Sequence, residues 1–245
     1  MTSPQPSQAQ PPVPPEDSSQ TFLQSFSDPQ AVARYVEGPP RYTPGLAALH
    51  RMSGLLLAER APAAARVLVL GAGGGLELKA LAEAWPDWTF VGVDPAAEML
   101  ALAAKTAAPY AERIELVQGY IDDAPPGPFD AATCLLTLHF LDREARVETA
   151  RALRARLRPG APCVVAHASF PQEPGAREAW LSRYAAFALA SGADPEQVEA
   201  ARAAVSASRY MFSPEEDEAV LNAAGFTDVA LFYAAFTWRG WVGYA

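Results

Sequence analysis

The sequence is poor in cysteine and histidine, with two cysteines and three histidines in 245 residues. Cys134 and Cys163 are too few for a disulfide framework or a sulfur-rich metal site. Three histidines leave little else to ligate a metal, so no metal centre is expected. No uninterrupted run of about 18 apolar residues exists, which argues against a helical membrane span. The N-terminus lacks a basic stretch followed by an apolar run, so no secretory signal is read there; a cytoplasmic, soluble protein is expected. Lysine is scarce: 17 of the 19 basic residues are Arg, and acids outnumber bases to give a net charge of −9. A chain of that sign repels phosphate at long range, which counts against nucleic acid as a partner.

What is present is apolar material. Half the residues are hydrophobic and 19% are charged, a balance that excludes a wholly disordered chain. The length suits one domain, or one domain with an appendage, at roughly 100–200 residues each. Residues 1–20 carry Pro4, Pro6, Pro11, Pro12, Pro14 and Pro15 among Gln and Ser. They read as a disordered leader, because such a stretch buries too little apolar area to offset its ordering entropy. Residues 21–245 then form a single domain.

A short helix is expected from Asp28 to Glu37, stopped by Gly38-Pro39-Pro40, with a second helix restarting behind Thr43 as N-cap. From Arg66 onward strands and helices alternate. Strands are read at Arg66–Leu70, Thr89–Val93, Ile114–Val117, Phe129–Leu136 and Pro162–Ala166. Helices are read at Leu76–Trp85, Ala96–Ala107 and Arg143–Leu157. Such alternation argues for an α/β fold with a parallel sheet covered on both faces. After Phe170 the rhythm breaks into two consecutive helices, Glu178–Ser191 and Pro195–Ala207, expected to form a helical lid within residues 171–212. Ser213-Pro214-Glu215-Glu216 is a capped helix start. Asp228–Phe236 and Thr237–Tyr244 follow as a terminal strand pair, for seven strands in all.

The segment Val67-Leu68-Val69-Leu70-Gly71-Ala72-Gly73-Gly74-Gly75 carries the most chemistry. A strand feeds a glycine-rich turn, and the turn opens a helix whose free N–H groups can face a ligand. Asp94 lies 23 residues after Gly71, at the end of the next strand, where an acid can accept both hydroxyls of a ribose. The plainer alternative is a tight turn and an exposed Asp; loop, strand and acid together favour nucleoside binding. The third glycine of a dinucleotide fingerprint would fall on Leu76, which disfavours a nicotinamide cofactor.

The G-x-G-x-G spacing, Val91-Gly92-Val93-Asp94, Phe129-Asp130-Ala131 with Leu136-Thr137-Leu138-His139-Phe140-Leu141, and Leu157-Arg158-Pro159-Gly160 together resemble the class I S-adenosylmethionine-dependent methyltransferases over roughly residues 40 to 245. The resemblance implies a Rossmann-like, doubly wound, mostly parallel seven-stranded sheet with an antiparallel C-terminal strand, preceded by helices. It implies S-adenosyl-L-methionine as cofactor, held by Gly71, Ala72, Gly73, Gly75, Asp94, Pro95, Met99, Tyr120, Ile121 and Leu136, with Arg41 a candidate partner of its carboxylate and a surface role for Arg41 the equal alternative. Val69 stands where the family usually carries an acid, and Tyr120 where many members carry another. Within the family, Arg41–Leu57, Leu136–Leu141 and Leu221–Phe226 are similar to the tRNA wobble-uridine carboxymethyltransferases, which use carboxy-S-adenosylmethionine. Leu135 and Leu46 fall where those enzymes place an Asn and a Tyr. A carboxylate facing Leu135 would lose a partner at a cost of about 1–3 kcal/mol, so the plain cofactor and a small-molecule acceptor are expected.

His139, on the exit of strand four, is the candidate general base, since an unperturbed imidazole suits proton abstraction near neutrality; a packed histidine is the equal alternative. His167, Tyr42 and Tyr210 are candidates for the acceptor pocket, with core packing the plainer alternative for the two tyrosines. His50 reads as structural. Arg143, Arg146, Arg151, Arg154, Arg156 and Arg158 are interleaved with acids and read as a solvated, salt-bridged face. A non-catalytic binding protein of the same fold is a third reading, and a homodimer stays compatible with the sequence.

Overall fold

The computed structural model describes residues 35–245. The expected leader at 1–20, and most of the helix expected from Asp28, lie outside the described residues; Tyr35–Glu37 form a 3-10 turn. Two helices follow, α1 (Gly38–Tyr42) and α2 (Leu46–Ala58). Both depart from expectation. Gly38-Pro39-Pro40 begins α1 rather than ending a helix, because a proline in the first turn has no N–H to leave unpaired. Gly45, not Thr43, stands before α2, in the left-handed conformation at φ 70°.

The strands are β1 (Arg66–Leu70), β2 (Thr89–Asp94), β3 (Ile114–Gln118), β4 (Ala131–Leu135), β5 (Pro162–Ala168), β6 (Thr227–Ala235) and β7 (Trp238–Tyr244). The helices between them are α3 (Leu76–Ala84), α4 (Ala97–Thr106), α5 (Arg143–Ala155), α6 (Pro174–Ala190), α7 (Pro195–Ala207) and α8 (Pro214–Ala223). One seven-stranded sheet results, in the order β3-β2-β1-β4-β5-β7-β6. The first five strands pair in parallel, and β7 runs antiparallel to both β5 and β6. Six strands therefore point one way and β7 the other. β4 is shorter than expected. Phe129 makes only an isolated bridge to Leu157, and Leu136 leaves the strand with φ 56°.

Alternation along β1 divides the core. Val67 and Val69 pack with Leu49 and Leu57 of α2 and with Leu78 and Leu81 of α3. Leu68 and Leu70 face the other way, onto Leu153 of α5 and Leu221 of α8. Successive side chains on a strand point to opposite faces, so one apolar run serves two layers. The expected helix start at Ser213 is formed: its Oγ accepts from Glu216 N at 3.3 Å, and Glu216 Oε2 accepts from Ser213 N at 2.9 Å. Among the described residues no helix is long and apolar enough to cross a membrane.

The order of the sheet fixes where a ligand can sit. β1 leads outward to β2 and β3 on one side, while β4 and β5 extend the other. The chain direction of the crossovers reverses between β1 and β4, and a crevice opens there beyond the carboxyl ends of the strands.

Candidate functional site

The loop after β1 is shaped by its glycines. Gly71, Gly73 and Gly75 have φ of 78°, 48° and 81°, a region that costs an L-residue roughly 1–2 kcal/mol. Space is also short: a Cβ on Gly75 would lie 2.7 Å from the Ala103 Cα of α4. Gly75→Ala is therefore expected to destabilise the protein by about 2 kcal/mol or more in urea denaturation. Gly175→Ala, where nothing lies within 4 Å, should change stability little.

The loop is tied to the ends of its neighbours. Gly71 and Ala72 donate to the Val93 carbonyl at 2.8 and 3.0 Å, and Gly119 donates to the Asp94 carbonyl at 3.1 Å. Asp94 is the hub. Its Oδ2 accepts from Gly73 N at 2.9 Å and its Oδ1 from Ala96 N at 3.0 Å. The side chain is 8% exposed. Burial raises its pKa, while the two backbone donors pull it down. Each carboxylate oxygen keeps a second lone pair, and Asp94 is among the residues that line the crevice.

The crevice has two ends. At one, Pro95, Met99, Gly119, Tyr120 and Ile121 join Asp94. Tyr120 is 52% exposed, a half-open aromatic face beside buried Ile121. At the other lie Leu46 and His50 of α2, Glu77 of α3, and the exit of β4 from Leu135 to Thr137, with Phe140 and Leu141 beyond. Leu136 holds a left-handed backbone that a non-glycine residue rarely adopts; its N–H donates to the Ala166 carbonyl at 2.6 Å. Burial pushes His50 down to about 4 and Glu77 up to about 7. Among the described residues of the crevice wall there is no Lys or Arg.

Of the residues expected from the sequence, Gly71, Ala72, Gly73, Asp94, Pro95, Met99, Tyr120, Ile121 and Leu136 line one crevice. Gly75 supports it from behind. The remaining candidates are placed elsewhere. Arg41 pairs with Glu37 at 2.9 Å on the surface, an i,i+4 contact. The Tyr42 ring packs on Tyr184 at 5.7 Å, and its carbonyl accepts from Trp238 Nε1. His139 is not on the wall formed by its neighbours Phe140 and Leu141. Its ring lies 4.2 Å from Phe140 and edge-on to Trp238 at 5.6 Å. Burial first, then His167 and Arg146, drives its pKa well below that of a free imidazole.

His167 and Tyr210 belong to a buried ionic network behind that wall. His167 Nε2 lies 3.2 Å from Asp217 Oδ1. Arg146 pairs with the same Asp217 oxygen, and its Nη2 donates to the carbonyls of Leu141 at 3.1 Å and Tyr210 at 2.7 Å. Arg146 is therefore no part of a solvated face, although Arg143 and Arg151 make exposed pairs with Glu216 and Glu148. Burial works to raise the Asp217 pKa, but His167 and Arg146 outweigh it and hold the carboxylate below its usual range. Glu77 and His50 were not singled out as crevice residues. The available signal was an acid inside the apolar run Leu76-Glu77-Leu78, directly behind a glycine loop.

Residues 67–160 match the family described as methyltransferase domain. Among curated proteins, the chain is similar to the carboxy-S-adenosyl-L-methionine synthase of Chromohalobacter salexigens. The two are 28% identical over 223 residues, 89% of this chain and 82% of that protein. Among solved structures, it resembles PigF with SAH at TM-score 0.66 and 18% identity, over 91% of this chain and 61% of that one. Human N-acetylserotonin methyltransferase in complex with SAM gives TM-score 0.60 and 14% identity, over 95% and 60%. A putative O-methyltransferase of Nostoc punctiforme gives 0.61 and 20%, over 94% and 72%. The chain spans about three-fifths of the length of the first two structures.

Proposed function

Because the chain has the fold of the class I S-adenosylmethionine-dependent methyltransferases, with a methyltransferase domain at residues 67–160, we propose that it binds S-adenosyl-L-methionine in the crevice and methylates a small-molecule acceptor. The observation that carries the reading is Asp94. It is buried at the end of β2, hydrogen-bonded to the glycine loop, and lines the crevice with acceptor capacity to spare. The residues fit the cofactor. Asp94 would take the ribose hydroxyls, Met99, Tyr120 and Ile121 the adenine, and the end near Leu46, His50, Glu77 and Leu136 the amino-acid tail. The cofactor when bound supplies an electrophilic methyl group on a sulfonium.

The protein's part is alignment and exclusion of water. Leu46, Leu135, Leu136, Phe140 and Leu141 make an apolar wall that suits a small, apolar-bodied acceptor. Orientation of two reactants can supply about 7–11 kcal/mol in favourable cases. His50, on the wall, is pushed to about 4 and is a weak base near neutrality. His139 enters this reading as support for the wall from behind.

A carboxylated cofactor fits less well. Leu135 lies on the wall, and no Lys or Arg of the described wall would meet a second carboxylate. Titration calorimetry with S-adenosylmethionine and S-adenosylhomocysteine tests the proposal. Saturable binding of both at sub-millimolar concentration is expected, and no heat up to millimolar ligand overturns it. The mass of any nucleoside extracted from purified protein separates the plain cofactor from the carboxylated one.

A further inference from the structure

We propose that Arg183 and Arg239, gathered on the ring of Trp180, form a binding site for an oxyanion, the carboxylate or phosphate group of a small molecule. The site shares no residue with the crevice wall, and the inference does not depend on the cofactor reading. Trp180 and Arg183 lie on α6, three residues apart, and Arg239 is the second residue of β7. The Arg183 guanidinium carbon stands 4.4 Å from the centre of the Trp180 ring, and that of Arg239 stands 5.3 Å from it. The two guanidinium carbons are therefore no farther apart than the sum of those distances. A second contact closes the same seam: the Phe187 ring of α6 lies 6.1 Å from Phe236, at the turn between β6 and β7.

Two cations drawn to one ring repel each other. The indole attracts each of them but neutralises neither. Among the described residues Arg183 makes no hydrogen bond or ion pair, only its contact with the ring. Arg239 Nη1 donates to the carbonyls of Phe236 at 2.5 Å and Trp238 at 2.8 Å, which leaves its Nη2 and Nε for a ligand. The acids near the seam do not cancel the pair. Glu178, two residues before Trp180, is taken by Arg202 at 3.1 Å. Glu215 acts on Arg239 without forming an ion pair, and burial prevails over it, so the Arg239 pKa is lowered. Other exposed arginines have their acids, Arg143 with Glu216 and Arg151 with Glu148. The chain carries a net charge of −9, so carboxylates are not in short supply, yet none meets these two guanidiniums.

The chemistry of the pair selects the ligand. A guanidinium presents a planar fork of donors that matches two oxygens of a carboxylate or a phosphate. Arg183 is exposed and Arg239 half-buried, so solvent and ligand reach both. One oxyanion between them ends their repulsion and ties α6 to the β6–β7 hairpin. Phe236, at 41% exposure, offers an aromatic face next to Arg239, which suits an anion carried on a ring.

The test is a titration of the full chain, labelled with nitrogen-15 at its tryptophans, in low-salt buffer with and without S-adenosylhomocysteine. Phenyl phosphate, benzoate and inorganic phosphate are the probes. The Trp180 indole signal, identified by its loss in Trp180→Phe, should shift saturably in the millimolar range with the aromatic anions and more weakly with inorganic phosphate. Benzyl alcohol, a ring without the charge, should leave it in place. Arg183→Gln and Arg239→Gln should each weaken binding about tenfold, and added salt should weaken it in the wild type. Arg183→Lys should recover only part of the loss, since an ammonium lacks the fork. Arg151→Gln, which removes an exposed arginine elsewhere, should change nothing. The tighter of benzoate and phenyl phosphate assigns the anion as carboxylate or phosphate. No saturable shift at Trp180, or equal affinity in wild type and Arg183→Gln, overturns the inference. Arg183 is on the surface, so its variant decides the matter even where Arg239→Gln does not fold. A chain that binds these anions but no S-adenosylhomocysteine would lose the cofactor reading and keep this site.

Discussion

Arg146→Ala is expected to lower the unfolding free energy by about 3–5 kcal/mol, the usual cost of stripping one partner from a buried ion pair. Arg146 and Asp217 are both 0% exposed, and no water can replace the guanidinium. Its loss strands the Asp217 carboxylate beside His167 and frees the carbonyls of Leu141 and Tyr210. The guanidinium also lies 4.4 Å over the Phe212 ring, so packing is lost with the charge. Urea denaturation measures the effect. Replacing both partners by apolar residues, Arg146→Met with Asp217→Leu, should recover much of it, because no lone charge remains buried. A double variant as unstable as Arg146→Ala would contradict that account. The pH dependence has a definite sign. Asp217 is held below its usual range, so its contribution is present above the unfolded carboxylate pKa and is lost as pH falls through the lower folded value. Wild type should weaken on acidification below about pH 4, and Asp217→Asn should show less of this acid loss.

The same network shows where sequence reasoning runs out. The strand–helix rhythm was legible because each element needed only local information: apolar runs of strand length, a capped start at Ser213, glycines where a strand meets a helix. The seven strands and their order of appearance emerged from that. Arg146 did not, because its counter-charge comes from Asp217, 71 residues away on another helix. On the α5 sequence alone it resembles Arg143 and Arg151, which are indeed exposed. His139 illustrates the converse. Its position on the β4 exit was right, but its ring packs against Phe140 and Trp238, and the Trp238 contact comes from a strand about 100 residues further along the chain. Glu77 escaped notice because an acid in a first turn is ordinarily a solvated partner of the helix dipole. Burial by α2 and β4 turned it into something else.

Asp94→Ala should reduce affinity for S-adenosylhomocysteine by two to three orders of magnitude, the largest effect expected on the proposed site. Two contributions combine. The variant loses the charged acceptor for the ribose hydroxyls, and hydrogen bonds to a charged group contribute about 1.5–3 kcal/mol each. It also releases Gly73 N and Ala96 N, the two donors that Asp94 fixes at 2.9 and 3.0 Å, so the loop no longer holds its ligand-ready shape. Asp94→Asn separates the two. Its carbonyl oxygen can keep one backbone donor, but the amide nitrogen cannot accept the other, so intermediate affinity is expected with stability closer to wild type. Calorimetry and a thermal shift on the three proteins give both quantities. Methylthioadenosine shares the ribose and should weaken in parallel. A loss of stability in Asp94→Ala with affinity intact would leave Asp94 as a strut of the loop, and the crevice would need another occupant.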